Sequence, residues 1–356
     1  WPFLFSLFSS AGMLAGAWWD LGHMLTAQVA MTQLTDSDVE KINAVLLQWS
    51  SDFPGASDLP NVAVWADLIK CTHFTPFCRK ALPDALGEFD SWHFSDMPFN
   101  PDKVPISEEE RNAGEANPSA VWSLTNAIST FKSSQSVFGF NLMLRFTIHV
   151  VGDIHQPLHA VDGYFNDTRF GTHLHGDRGG NLIHLDTPWE GVTNLHAMWD
   201  SAGGLYTLNW PLSQEEREQL GRNASDLVQK FPPSSLPQFK ESDAEDCWGD
   251  SERAHPKACT AMFERWAAES HALAESEAYG HGIAENSKPS DEYVSNTRHQ
   301  AQRQIALGGY RLATILRLLV PNLPQIQPES LAAKDSGSTI SFPVVLCAVL
   351  ATTVLF

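Results

Sequence analysis

The chain is short of cations: 23 Lys+Arg stand against 42 Asp+Glu, a formal charge of −19 over 356 residues. A broad basic face that grips nucleic acid through its phosphates is therefore excluded. The charged fraction is itself low, at 18%, so the acidity reflects missing bases and not polyacidic tails. Positive charge supplied by a bound metal is still open, and with it a phosphate-handling role. Cysteine is scarce too: there are five, with no closely spaced CxxC unit, which rules out a zinc-ribbon scaffold. Strand-like runs are few, Asn181–Leu185 being the best, and no internal repeat is visible. What is present is apolar content of 43% with 12 Trp, enough to bury a substantial core and unlike a disordered chain.

The two ends read differently from the middle. Residues 1–17 carry no charge and close on Ala15-Gly16-Ala17, the small-x-small pattern of a signal-peptidase site. The basic n-region is missing, so a start upstream of Trp1 is expected, with the mature chain beginning at Trp18. Residues 340–356 are again uncharged, behind a polar linker over 326–339. Two readings stand for that tail: a short membrane helix, or a lipid-anchor signal that is removed. Either predicts an outward-facing, membrane-tethered protein. Two sequons, Asn166-Asp167-Thr168 and Asn223-Ala224-Ser225, suit an exported chain. Four cysteines outside the tail allow three connectivities, and the local pairs Cys71–Cys78 and Cys247–Cys259 are the expected ones.

Between the ends, residues 18–325 are expected to form one mainly α-helical domain. Thr35-Asp36-Ser37-Asp38 has the form of a capping box before Val39, Ile42, Val45, Leu46 and Trp49. Val121, Leu124, Ile128 and Phe131 make a second helical stripe. Long helices are expected over 137–160, 256–278 and 291–320, the last interrupted at Gly308-Gly309 and stopped by Pro321. The acidic stretch 241–250 has the composition of a solvated face.

The chemistry sits in the histidines and aspartates. In HVVGDIHQPLH, His149 and Asp153 are four apart and project from one helical face, while Pro157 bends the chain so that His159 turns toward the same cavity. The four-residue spacing recurs in His196 and Asp200. One such pair is usually a surface hydrogen bond; two, with no thiolate, suit hydrolytic zinc. Upstream lie Asp67 and Lys70, three apart in WADLIK, and His93, Phe94 and Asp96 in WHFSD. Taken singly, each has a structural reading. Trp18 adds an α-amine if cleavage follows Ala17, and His23 lies five positions on.

These pieces, in this order, resemble the zinc-dependent class I single-strand nucleases and 3′-nucleotidase/nucleases, over roughly residues 18–320. The resemblance implies a mainly helical fold, like that of phospholipase C, around a cleft with three zinc ions. It implies that Asp67, His93, His149 and Asp153 hold one zinc and His159, His196 and Asp200 a second. Trp18, through its amine and carbonyl, would hold the third with His23 and a bridging Asp153. Three divalent ions against three aspartates leave about +3 in the cleft, enough to draw a phosphodiester to an acidic protein. Lys70 then lies beside the scissile phosphate, Phe94 and Asp96 stack on and hydrogen-bond an unpaired base, and Asn181 of DRGGN contacts the phosphate side or a ligand. A zinc-activated water, oriented by Asp67, would attack phosphorus in line. Products would be 5′-phosphates from single strands, and nucleoside plus phosphate from 3′-mononucleotides. No protein partner is implied, and a monomer is expected. The alternatives are a zinc-dependent phospholipase C, against which the base-pocket pair argues, and a non-catalytic zinc-binding surface protein, which would not need Asp67 and Lys70. His155 is expected to bond within its helix end, and His73, His255, His271, His281 and His299 to be surface or capping groups.

Overall fold

The computed structural model describes residues 18–71, 78, 86–115, 118–206, 210–249, 256–324 and 326. The signal-like segment, the hydrophobic tail, His73 and His255 lie outside them. The chain divides into two compact units, Trp1–Pro324 and Gln325–Phe356. Among the described residues no helix is long and apolar enough to cross a membrane.

The first unit is built from helices: α1 (Asp20–Met31), α2 (Asp36–Leu46), α3 (Leu59–Val62), α4 (Trp65–Leu68), α5 (Glu108–Arg111), α6 (Ala120–Ser133) and α7 (Val137–Asp153) come first. They are followed by α8 (Leu195–Asp200), α9 (Gln214–Lys230), α10 (Glu241–Trp248), α11 (Pro256–Leu273) and α12 (Asp291–Leu319). The expected capping box is present: Thr35 caps the Asp38 N–H and Asp38 answers to the Thr35 N–H. Single polar residues start other helices, Ser119 for α6, Ser136 for α7, Asn194 for α8 and Ser290 for α12. The α6 stripe Val121, Leu124, Ile128 and Phe131 is buried, and α6 packs on α7 and α11. Both expected disulfides, Cys71–Cys78 and Cys247–Cys259, are formed, which suits an oxidising, secretory route.

Four expectations change. The helix from 137 ends at Asp153, not near 160. Proline at 157 disfavours helical geometry at the residue before it, and Gln156 is extended (φ −81°, ψ 118°). Gly308-Gly309 does not interrupt α12, which runs unbroken to Leu319. A Cβ at Gly309 would fall 2.5 Å from Val29 Cγ1 and 2.9 Å from the Thr26 carbonyl, so the glycine lets α1 and α12 touch. Asn181–Leu185 is a turn ending in isolated bridges, His184 to Asn194 and Leu185 to Ser287. The 241–250 stretch is not simply solvated: α10 buries Ala244 and Cys247, and its Asp243 pairs with Arg265 at 2.9 Å.

The strands are three residues each. β1 (Met97–Phe99) runs parallel to β2 (Val161–Gly163), with Met97 opposite Val161, and β3 (Phe165–Asp167) pairs antiparallel with β4 (Gly171–His173). The β1–β2 ladder matters for position. It fixes the WHFSD segment beside HQPLH, tied by the Ser95 N–H to the His159 carbonyl at 2.8 Å.

Candidate metal centre

Helix α7 carries the first residues of the site. His149 and Asp153 share a face and are fully buried, with His149 Nε2 3.3 Å from Asp153 Oδ2. Helix α4 brings Asp67 to within 3.7 Å of both His149 Nε2 and His93 Nδ1. His93 Nδ1 is also 2.9 Å from Asp153 Oδ2 and 3.1 Å from His149 Nε2. From α1, His23 stacks on His149 with centroids 3.9 Å apart, and its Nε2 lies 3.3 Å from the other oxygen of Asp153. Asp153 thus turns one oxygen to His93 and His149 and the other to His23. By distance His23 also groups with Asp67 and His149.

A separate group forms where the Pro157 turn meets α8. His159 Nε2 is 3.1 Å from His196 Nε2, and His196 Nε2 is 3.4 Å from Asp200 Oδ2. Trp18 lies behind the first group, wholly buried, its indole N–H donating to the Gly152 carbonyl at 2.9 Å. Gly152 is required there: a Cβ would sit 2.8 Å from His23 Nδ1. Gly152→Ala is therefore expected to push His23 away, costing about 1–3 kcal/mol of stability and one metal equivalent, which metal analysis beside thermal melting would detect.

Backbone carbonyls set the imidazole tautomers. The Nδ1–H of His149 donates to Ala63 O at 2.5 Å, that of His159 to His93 O at 2.9 Å and that of His196 to Gly179 O at 2.7 Å. Each ring then turns a bare Nε2 to the cluster. Burial, then neighbouring histidines or Lys70, holds His23, His93 and His159 well below the ordinary imidazole range, and burial takes His196 down to about 4. Burial and then Asp67 push Asp153 well above the usual carboxylate range. Asp67 moves the other way: burial opposes, but Lys70, His149 and His93 together hold it low.

This donor set fits divalent zinc. Both oxygens of Asp153, both ring nitrogens of His23 and Nε2 of His93 are buried with no hydrogen-bond partner, an arrangement costly without a cation. Two unprotonated Nε2 atoms facing each other at 3.1 Å make the same demand.

The base-pocket candidates border the second group. Phe94 lies with its ring 4.7 Å from His159 and is partly exposed. Asp96 is exposed, and desolvation of its carboxyl, followed by Asp162, raises it to about 7. Lys70 donates to Asp67 Oδ1 at 2.8 Å. Among the described residues Asn181 makes no hydrogen bond to a cluster residue; it donates to the Arg178 carbonyl at 2.8 Å and closes the turn that carries Gly179. His155 bonds the Val151 carbonyl within its own helix end, as expected, and meets Arg311 at 2.8 Å. His281 pairs with Glu277 on the surface, while His271, near Glu275 at 3.9 Å, is partly buried. Gln156 is a residue the sequence reading missed: it donates to Asp200 Oδ1 at 2.6 Å and accepts the Leu158 N–H at 2.6 Å. Its place inside HQPLH was the available signal.

Buried imidazoles and carboxylates in a helical domain, with no thiolate among them, define a zinc-dependent hydrolase. More narrowly, the chain belongs to the S1/P1 nuclease family, whose model matches residues 18–321. It is 28% identical over 317 residues to Nuclease S1 of Aspergillus oryzae, covering 86% of this chain and 93% of that one. It is 26% identical over 302 residues to Nuclease P1 of Penicillium citrinum (83% and 95% covered) and 24% identical over 307 to Endonuclease 2 of Arabidopsis thaliana (84% and 89%).

Proposed function

We propose that this protein hydrolyses single-stranded DNA or RNA to 5′-phosphate products and 3′-mononucleotides to nucleoside and phosphate. The observation that carries this reading is the adjacency of the buried His/Asp groups to the Phe94–Asp96 segment, the Phe94 ring lying 4.7 Å from that of His159. Asp67, His93, His149 and Asp153 hold one zinc, His159, His196 and Asp200 a second, and His23 with Asp153 and the α-amine of a processed Trp18 the third. Zinc so held supplies Lewis acidity and brings water from a pKa of about 15.7 toward about 7. Asp67 would orient the attacking water, and Lys70, already against Asp67, stands to neutralise charge on the phosphate. Phe94 offers a face to an unpaired base, which a stacked duplex base cannot reach. The protein is read as a monomer, exported by the segment before Trp18 and tethered either by a C-terminal membrane helix over 340–356 or by a lipid anchor that replaces that segment.

The test is direct. Zinc-loaded protein should release phosphate from 3′-AMP and degrade single strands well ahead of duplex, while leaving 5′-AMP intact. No hydrolysis of any nucleotide by a zinc-replete preparation contradicts the reading. Phe94→Ala should lower catalytic efficiency about tenfold or more through lost stacking, with zinc content unchanged.

Asp96 adds a pH dependence. With its carboxyl raised to about 7, it is an uncharged acid below that pH and a carboxylate above it. The acid form pairs with adenine, donating to N1 and accepting from N6; the carboxylate accepts both N–H groups of guanine. Binding of 3′-GMP should therefore strengthen relative to that of 3′-AMP as pH rises through 7, read from the ratio of their Michaelis constants. A ratio flat between about pH 5.5 and 8.5, a span that brackets the titration, contradicts this role.

A further inference from the structure

The DRGGN segment holds one residue that the chemistry above leaves unused. Arg178 is exposed, and its guanidinium has no ion-pair or hydrogen-bond partner among the described residues. Its main chain, by contrast, is tightly fixed. The Arg178 N–H donates to Asp162 Oδ1 at 2.8 Å, and the Gly163 N–H returns a bond to Asp177 Oδ1 at 2.8 Å. Tyr279 donates to the other Asp177 oxygen at 2.8 Å. The Arg178 carbonyl accepts from the Asn181 side chain, and the next carbonyl, Gly179, receives the Nδ1–H of His196. Arg178 is held at φ 56°, a conformation that a residue with a side chain adopts at some cost. Gly179 follows at φ 58°, where a Cβ would collide with the Leu158 carbonyl.

The rigid turn thus sits between the His159/His196/Asp200 group and Asp162, the neighbour of the base-pocket carboxylate Asp96. Asp162 accepts the main-chain N–H of Arg178, but the guanidinium pairs with neither it nor Asp177. On a chain of net charge −19, an exposed, unpaired guanidinium on the turn whose Gly179 carbonyl holds His196 is a docking point for an anion. A 3′-mononucleotide brings one phosphate, which belongs to the metal site. A strand brings others on either side of it.

We propose that Arg178 grips a non-scissile phosphate of a single-stranded substrate, so that it favours polynucleotides over 3′-mononucleotides. This rests on the nuclease reading above. The zinc-loaded wild type, Arg178→Ala and Arg178→Lys are compared on 3′-AMP and on a single-stranded oligonucleotide, with zinc content and melting temperature measured in parallel. Alanine retains a Cβ, so the backbone conformation is as acceptable as before. For Arg178→Ala, kcat/KM on the oligonucleotide should fall about tenfold with 3′-AMP hydrolysis unchanged. The slope of log affinity against log salt should lessen by about 0.7, one phosphate contact on a single strand. Arg178→Lys should recover most of the loss. Equal losses on both substrates, or loss of zinc, would show that the residue acts through Gly179 and His196 and overturn the proposal. Unchanged oligonucleotide cleavage overturns it as well. A wild type inert on both substrates defeats the nuclease reading itself, and this proposal with it.

Discussion

Asp153→Ala is expected to abolish zinc retention at two positions and hydrolysis with it. The side chain is fully buried, with Oδ1 3.3 Å from His23 and Oδ2 2.9 and 3.3 Å from His93 and His149. Removing it withdraws the anion shared by two ligand groups and leaves three imidazoles facing a void. Loss of a group that merely orients a ligand costs about 10–100-fold in metal affinity, and loss of a shared ligand costs more. Zinc content and 3′-AMP hydrolysis should therefore fall together, beyond a hundredfold in rate. Circular dichroism separates this from unfolding, since the apolar residues of α7 and the Asn141–Arg145 hydrogen bonds do not involve Asp153. A folded Asp153→Ala protein with full activity is incompatible with the assignment.

Arg145→Ala should produce the largest loss of stability away from the metals. Arg145 lies one turn before His149 on α7 and is wholly buried, with no carboxylate partner among the described residues. Its guanidinium donates to Asn141 Oδ1 and the carbonyl of Ala56, both at 2.7 Å, and to that of Leu46 at 3.0 Å. The rings of Trp49, Phe53 and Trp65 surround it, with centroids 5.3–5.4 Å away. Burial lowers its pKa to about 9, so the charge persists at neutral pH and the aromatic faces stabilise it. Truncation orphans three acceptors and opens a cavity beside the WAD helix, at a cost of about 4 kcal/mol. A fall in Tm of roughly 10 °C should follow; a shift under about 3 °C contradicts this view of the cage.

Much of this site is legible in the sequence because its ligands lie on local helical spacings. His149 with Asp153 and His196 with Asp200 share a helical face by arithmetic alone, and Pro157 announces the turn that carries His159 round. The capping box at Thr35 and the α6 stripe are equally local. The misreadings have physical causes. Gln156 takes its extended geometry from the proline that follows, so α7 stops at Asp153, short of where its apolar run points. Gly308-Gly309 looks like a break, but its purpose is set by Val29 and Thr26 on α1, at the far end of the domain's sequence. Three-residue strands carry too little alternation to detect, and Asn181–Leu185, which alternates better, spends its first backbone bonds on turns and its last on isolated bridges. Backbone carbonyls that fix imidazole tautomers, such as Gly179 O for His196, have no side-chain signature at all.

Zinc stoichiometry of the purified mature protein, taken by native mass spectrometry together with its first residue, tests the trinuclear assignment most directly. Three ions per chain on a protein that begins at Trp18 are expected. A zinc-saturated preparation that holds a single ion would contradict it.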